Sequence, residues 1–266
     1  MSALLALLAC ATSSAPEPTE TRIVAIGPAV AQTALALAPD AVVGVDTAST
    51  ELAAAEGLPH VGHARQVSAE GVLSLAPTRV LVTDSAGPAD VLEQIEAAGI
   101  EVVRVPHERS VDGVRALIRE VARVVDADGT ELTGTFDASC GRLPSTDAQT
   151  ALFVYARGGG VMSVAGTDTA AHAMLDLAGL TNAVTAYEGY KPLTPEAVVD
   201  AAPDWVVFTT RGLEASGGPE GLVDVPGLGQ IDAVTEGRIA TVDDFELLAF
   251  GLGTCKGAQA LADAVQ

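Results

Sequence analysis

Short apolar runs alternate with amphipathic stretches along most of the chain. The runs Arg22–Ile26, Val42–Val45 and Val80–Val82 are bounded by Gly, Pro or Asp residues, which is typical of buried strands. Near them, Ala29–Leu37 and Pro88–Ala98 place apolar residues at helical spacing, which predicts amphipathic helices. This alternation predicts parallel sheets that helices cover on both faces.

The same alternation resumes in the second half of the chain, where Thr150–Tyr155 and Val206–Thr210 are predicted strands. Between the halves, Ser110–Val125 has a serine cap and one apolar stripe, and we expect this helix to continue, with an irregularity at Gly129, towards Cys140. The predicted fold class is therefore α/β, with two Rossmann-like parallel-sheet lobes, one long bridging helix and a ligand cleft between the lobes.

The first residues differ in character from the rest. Met1–Ala9 is an apolar run too short to span a bilayer, and Leu7–Cys10 resembles a lipobox, so we expect lipidation of Cys10. An ordinary N-terminal strand or helix is the alternative. The predicted parts are a signal or lipoprotein segment with a flexible tether at 1–20, an N-terminal lobe at 21–107, a bridging helix region at 108–144 and a C-terminal lobe at 145–266.

One motif occurs twice at the same spacing. It consists of a Ser or Thr cap, a glutamate in the first helical turn, an apolar helix, Ala-Pro and a strand. The two copies are Ser68, Glu70, Ala76 and Pro77, and Thr194, Glu196, Ala202 and Pro203. A glutamate in the first turn suits the positive end of a helix dipole, and repetition of the whole order indicates two similar lobes.

Composition narrows the possible functions. The chain is 48% hydrophobic and 18% charged, which indicates a globular protein, and its net charge of −21 argues against nucleic acid and anionic membrane surfaces as partners. It contains no P-loop, no G-x-S-x-G, no H-E-x-x-H and no cysteine pair at zinc spacing, so we expect no enzyme. Cys140 and Cys255 could form a disulfide, but the sequence does not give their separation.

The four histidines are the candidate metal ligands. His60, His63 and His107 fall in first-lobe loops at the predicted ligand edge of the sheet, and His172 lies early in a second-lobe helix. Imidazole is the commonest metal ligand, so a metalloenzyme or a free-metal-binding domain is one open alternative.

A resemblance sharpens these expectations. V-G-H-A-R-Q-V-S-A-E-G-V-L-S-L-A-P, which begins at Val61, resembles the pattern V-G-Y-x-R-x-L-S-x-E-G-x-L-x-L-x-P of haem-specific substrate-binding proteins of ABC importers. Gly189–Leu193 before Glu196, and Arg211–Glu214, agree with the same family. The resemblance implies two lobes with haem in the cleft, a lipid-anchored protein on the periplasmic side or cell surface, and delivery of haem to a permease dimer with its ATPase for iron acquisition.

The resemblance also implies roles for single residues. His63 stands where the family has the tyrosine that ligates haem iron, and Tyr190 or His172 is the candidate second axial ligand. Haem brings two propionates into an acidic protein, so cations are needed near the cleft. The candidates are Arg65, Lys191 and Arg211.

The repeated glutamates receive a separate role. In this class of binding protein one glutamate on each lobe docks with arginine pockets of the permease dimer, and Glu70 and Glu196 match those positions. Two alternatives stay open within the transport class. One is a cobalamin or ferric-siderophore binding protein of the same fold, and the other is a haem scavenger that works without a permease.

Overall fold

The computed structural model describes residues 21–141, 143, 149–157 and 160–266. The predicted segment at 1–20 with Cys10 lies outside these residues, as does the predicted boundary between residues 144 and 145, so both stay predictions. No helix in the described ranges combines the length and the apolar character that crossing a membrane requires.

The N-terminal lobe has a parallel sheet with strand order β2-β1-β5-β6 and a separate two-stranded hairpin formed by β3 and β4. Its strands are β1 (Ile23–Ile26), β2 (Val42–Val45), β3 (Gly62–His63), β4 (Gln66–Val67), β5 (Arg79–Thr83) and β6 (Glu101–Val105). Its helices are α1 (Pro28–Leu37), α2 (Ala69–Ser74) and α3 (Ala89–Ala97), with 3₁₀ turns at Pro39–Ala41, Thr47–Glu51 and Ala53–Ala55.

The central strand explains how this lobe is held together. All four residues of β1 are fully buried, and they alternate between two cores. Ile23 and Ala25 pack against α1, whereas Val24 and Ile26 pack towards α2 and α3. Because both faces of the sheet are covered, the loops at the carboxyl ends of its strands are the part left to bind a ligand.

Two helices, α4 (Val111–Val125) and α5 (Thr130–Cys140), form the bridge where the pattern predicted one long helix. Ser110 caps α4 by accepting a hydrogen bond from the Gly113 amide at 2.9 Å, and Asp126 ends it in the left-handed conformation (φ 57°). The bridge is a packed element: α4, α5 and a C-terminal helix share a small core with Phe136 at its centre.

The C-terminal lobe follows the bridge. Its strands are β7 (Thr150–Ala156), β8 (Met162–Ala165), β9 (Thr181–Asn182), β10 (Tyr190–Pro192), β11 (Trp205–Thr209) and β12 (Ile239–Val242). Its helices are α6 (Ala170–Leu177), α7 (Pro195–Ala201), α8 (Thr210–Ala215), α9 (Gly218–Leu222), α10 (Asp232–Thr235), α11 (Asp244–Leu248) and α12 (Thr254–Ala264), with a 3₁₀ turn at Leu228–Gln230.

The sheet of this lobe is mixed, with the order β10-β8-β7-β11-β12 and β9 paired to β7. Strands β9, β7, β11 and β12 are parallel, as the pattern predicts, whereas β8 runs antiparallel to both of its neighbours, β7 and β10. The two-lobed α/β architecture is thus confirmed. Cys140 and Cys255 form a disulfide with a Cα–Cα distance of 4.9 Å, which ties α5 to α12.

Candidate ligand-binding cleft

His63 lies on the β3–β4 hairpin of the N-terminal lobe, and its side chain is exposed. The hairpin is fixed by backbone hydrogen bonds to the carboxyl ends of two strands of the sheet. The Val61 amide donates to the Val45 carbonyl at 3.0 Å, and the Gly87 amide, just after β5, donates to the Ala64 carbonyl at 2.8 Å. These bonds hold His63 at the carboxyl edge of the sheet, where the sequence predicts it.

The residue before His63 must be a glycine. Gly62 has a φ of 100°, and a Cβ at this position would lie 2.6 Å from the Gln66 carbonyl oxygen across the hairpin. Any other residue would be strained by its backbone angle and would also collide with the opposite strand. The tight hairpin that presents the imidazole therefore depends on the Val-Gly-His order.

Tyr155, Tyr190 and Arg157 form a cluster in the C-terminal lobe. The rings of Tyr155, on β7, and Tyr190, on β10, have centroids 5.7 Å apart. Arg157 Nε donates a hydrogen bond to the Tyr155 hydroxyl oxygen at 2.9 Å, and its guanidinium carbon lies 4.8 Å from the ring centroid. A cation beside a phenolic oxygen complements negative charge on that oxygen.

The second tyrosine of this cluster has a different environment. Desolvation raises the pKa of Tyr190, and the nearby Tyr155 raises it further, which outweighs the lowering effects of the Ala171 backbone and Arg109. Tyr190 therefore keeps its proton at neutral pH. Its ring remains 41% exposed, so it offers a ligand an apolar face and a hydroxyl group.

The sequence analysis did not single out Tyr155, Arg109 or Arg157. Tyr155 was predicted only as the last residue of a strand. The Tyr-x-Arg spacing at the carboxyl end of a strand could have indicated that Tyr155 and Arg157 form a pair, because residues two apart in a strand project from the same face.

The other C-terminal candidates have partners within their own lobe. The ring of His172 has Nδ1 3.4 Å from Asn182 Nδ2 and Nε2 3.6 Å from Asp176 Oδ2. The ammonium of Lys191 lies 4.3 Å from the ring centroid of Tyr187. Within the ranges that the structure describes, neither side chain makes a hydrogen bond or ion pair to the N-terminal lobe.

Polar contacts join the two lobes beneath the cleft. The ring Nε2 of His107, after β6, lies 3.1 Å from the carbonyl oxygen of Phe250, after α11. The Leu252 amide donates to Gln32 Oε1 on α1 at 2.8 Å. These contacts assign His107 a place in the junction between the lobes.

Two arginines reach across the cleft to carboxylates of the opposite lobe. Arg109 Nη1 lies 3.1 Å from Asp168 Oδ1, and Arg211, in the first turn of α8, pairs with Glu51. Arg65 is exposed on the β3–β4 hairpin, two residues after His63. Of the predicted propionate-binding cations, Arg65 and Arg211 therefore lie on the loops that border the cleft.

The histidines do not assemble into a free-metal site. Among the described residues, no three His, Cys, Asp or Glu side chains are close enough together to hold a metal ion. His60, three residues before His63, is exposed, and its backbone pairs with that of Val45.

Helices α2 and α7 match each other closely. Ser68 and Thr194 each accept a hydrogen bond from the backbone amide three residues on, at 3.0 Å and 3.3 Å. Each helix is followed by an alanine with positive φ, 45° at Ala76 and 37° at Ala202, and then by proline. Glu70 and Glu196 are exposed in the first turns, so the predicted repeat is a structural repeat as well.

Residues 23–245 match the family model described as Periplasmic binding protein. The chain belongs to the periplasmic binding protein family. The family is described by binding. A curated relative is YvrC of Bacillus subtilis (strain 168), an uncharacterized ABC transporter substrate-binding lipoprotein, which is 27% identical over 85% of this chain and 73% of its own length.

Three solved structures of the same fold are more similar in sequence to this chain than YvrC is. The periplasmic haem-binding protein BhuT, solved with two haems, is 37% identical, with a TM-score of 0.85 over 92% of this chain and 99% of its own. RhuT from Roseiflexus sp. RS-1, a periplasmic haem-binding protein in apo form, is 35% identical, with a TM-score of 0.85 over 93% and 100%. HutB of Vibrio cholerae, also a periplasmic haem-binding protein, is 30% identical, with a TM-score of 0.80 over 92% and 98%.

Proposed function

We propose that this protein is the extracytoplasmic substrate-binding component of an ABC importer, and that it captures haem and delivers it to the permease for iron acquisition. The observation that carries the proposal is the pair of donors at the cleft: His63 on one lobe, and Tyr155 with Arg157 on the other. Relatives with this fold at 30–37% identity are haem-binding proteins. The role is non-enzymatic, because the cleft needs only to hold and release its ligand.

His63 and Tyr155 are the axial ligands in this proposal. A neutral imidazole and a phenolate are both established haem iron ligands. Arg157 already donates a hydrogen bond to the phenolic oxygen, so the negative charge of an iron-bound Tyr155 would be matched without rearrangement. This assignment replaces Tyr190 and His172 as the preferred second ligand.

Tyr190 and His172 then take supporting roles. Tyr190 has a raised pKa and keeps its proton, so it suits stacking against the porphyrin and hydrogen bonding better than coordination of iron. His172 would have to leave Asn182 and Asp176 before it could bind iron. The haem propionates would be met by cations on the cleft loops, and Arg65 and Arg211 suit this role better than Lys191, which stacks on Tyr187.

The outer surface supports delivery to a permease dimer. Leu73 and Val199 are large apolar side chains that remain 38% and 43% exposed, and each lies three residues after one of the repeated glutamates. Positions three apart share one face of a helix, so each lobe presents the same carboxylate and apolar pair. Two equivalent patches suit two equivalent permease subunits. A lipid anchor at Cys10 would keep the protein at the membrane that holds them.

The ligand is tested by titrating the purified protein with haemin, cyanocobalamin and a ferric hydroxamate siderophore while recording absorbance. We expect a saturable one-to-one change in the Soret band with haemin and no saturable change with the other two. Saturable binding of cobalamin or siderophore, with none of haemin, would overturn the haem assignment. The family and the two-lobed fold would still stand.

Docking is tested by reversing charge at the repeated glutamates in a cell that depends on haem as its iron source. We expect Glu70→Lys and Glu196→Lys to block growth on haem while haem affinity stays unchanged. Glu220→Lys is the matched control, since Glu220 is also exposed in a first helical turn but lies outside the repeat. Loss of haem binding in either glutamate variant would contradict the docking role.

A further inference from the structure

Two ion pairs connect the C-terminal lobe to the rest of the chain with opposite polarity. Arg109, between β6 of the N-terminal lobe and the bridging helix α4, pairs with Asp168 of the C-terminal lobe, and Arg211 of the C-terminal lobe pairs with Glu51 of the N-terminal lobe. The other ion pairs found among the described residues lie within one lobe or within the bridge. Each side of the cleft thus carries one arginine and one carboxylate.

The two arginines and Glu51 lie on segments that adjoin the elements carrying the candidate ligand residues. Arg109 lies two residues after His107 in the junction, and its charge acts on Tyr190. Arg211 begins the helix that follows β11, the parallel neighbour of the strand that carries Tyr155. Glu51 ends the turn that follows β2. A ligand that fills the cleft would therefore meet both arginines.

These ion pairs are suited to exchange. The side chains are 44% and 75% exposed in the first pair and 60% and 50% exposed in the second. Exposed pairs contribute little to stability, because water and salt compete for both charges. A carboxylate of the ligand can replace a carboxylate of the protein at an arginine with no change in the type of interaction.

Other cations near the tyrosines already have partners inside their own lobe. Arg157 donates to Tyr155, and Lys191 stacks on Tyr187. With a net charge of −21, the protein repels anionic ligands, so the few cleft arginines decide whether such a ligand is accepted.

We propose that Arg109 and Arg211 bind the carboxylates of the ligand, and that Asp168 and Glu51 hold these arginines across the cleft until the ligand displaces them. The proposal rests on the proposed haem-binding function, since haem supplies two propionates. It adds Arg109 as a ligand-binding residue, and it makes Asp168 and Glu51 internal competitors that weaken binding and favour release.

The test compares haemin with its dimethyl ester, which carries no free carboxylate. We expect Glu51→Gln and Asp168→Asn each to tighten haemin binding by about two- to fivefold, the range expected for the coupling within an exposed ion pair. Neither variant should alter the affinity for the ester. Glu101→Gln is the matched control: it removes the same charge from the Arg79–Glu101 pair, which lies within one lobe, and should change neither affinity.

A double-mutant cycle separates exchange from simple charge repulsion. In an Arg211→Gln background, Glu51→Gln should no longer tighten haemin binding, because the arginine for which the two carboxylates compete is gone. Tightening that persists in that background would overturn the proposal, as would unchanged or weaker haemin binding in both single variants. If the wild type fails to bind haemin, the proposed function falls and takes this proposal with it.

Discussion

The outer helices of the two lobes match position by position, whereas the residues that the lobes present to the cleft differ. On the outside, α2 and α7 repeat a cap, a glutamate, an exposed apolar residue and a closing Ala-Pro. At the cleft, the N-terminal lobe offers His63 on a hairpin, and the C-terminal lobe offers the Tyr155–Arg157 pair on a strand.

We relate the difference between the matched outer helices and the unmatched cleft residues to the proposed partner of each surface. A dimeric permease presents the same surface twice, so two equal patches are an efficient match. A ligand that lies between the lobes is approached from two sides by different groups, and an iron centre can take a different donor from each. On the proposed function, the lobes keep the residues that face a symmetric partner and differ in the residues that face the ligand.

Removing the imidazole of His63, the proposed iron donor of the N-terminal lobe, should have the largest effect on haem binding. We expect His63→Ala to lower haem affinity by more than about 100-fold, because loss of a metal ligand costs more than loss of its hydrogen-bonding partner. His60→Ala is the matched control, since His60 is equally exposed just before the hairpin, and its affinity should stay within about twofold, as expected for a surface change. Soret titration measures both, and equal affinities for the two variants would contradict the role of His63.

The outer surface should respond in transport alone. We expect Leu73→Ser and Val199→Ser each to lower haem uptake by roughly tenfold, the effect of losing one buried apolar side chain from an interface. Haem affinity should not change. Val223→Ser is the control, since Val223 is 56% exposed and lies outside the repeat. An equal loss of uptake in the control would remove the argument for two matched patches.

The smallest effect concerns the caps of the repeated helices. Ser68→Ala and Thr194→Ala each remove a side-chain acceptor from a helix N-terminus. We expect each to lower the free energy of unfolding by about 1 kcal/mol, the usual cost of a lost cap, with haem affinity unchanged. Chemical denaturation measures the loss, and a much larger loss at one site would indicate that the two helices are not equivalent.

The sequence predicted the repeated elements well, because each copy combines local signals that need no tertiary information. Caps, first-turn glutamates and Ala-Pro endings determine where α2 and α7 begin and end. The bridge was predicted less well: apolar spacing favoured one helix, but Asp126 in the left-handed conformation ends the first of two. The reversed direction of β8 was also not predicted, since short apolar runs do not reveal strand direction.

The sequence indicated candidate residues on both lobes, but it did not indicate Tyr155. His63 was singled out because it interrupts a recognisable motif, whereas Tyr155 follows apolar strand residues and is indistinguishable from core without its partner Arg157. The pairs Arg109–Asp168 and Arg211–Glu51 join residues far apart in sequence, so no local pattern reports them. Contacts of this kind depend on how the lobes meet, which only the folded chain specifies.

The proposal that Tyr155 and not Tyr190 binds the haem iron is tested by spectra of the ferric haem complex. Absorption and electron paramagnetic resonance spectra are recorded for Tyr155→Phe and Tyr190→Phe. Both variants remove one hydroxyl group from neighbouring rings whose centroids are 5.7 Å apart, so each is the control for the other. We expect Tyr155→Phe to lose the spectrum of a tyrosinate-ligated iron, whereas Tyr190→Phe should keep it. An unchanged spectrum in Tyr155→Phe, with loss of the tyrosinate spectrum in Tyr190→Phe, would contradict it.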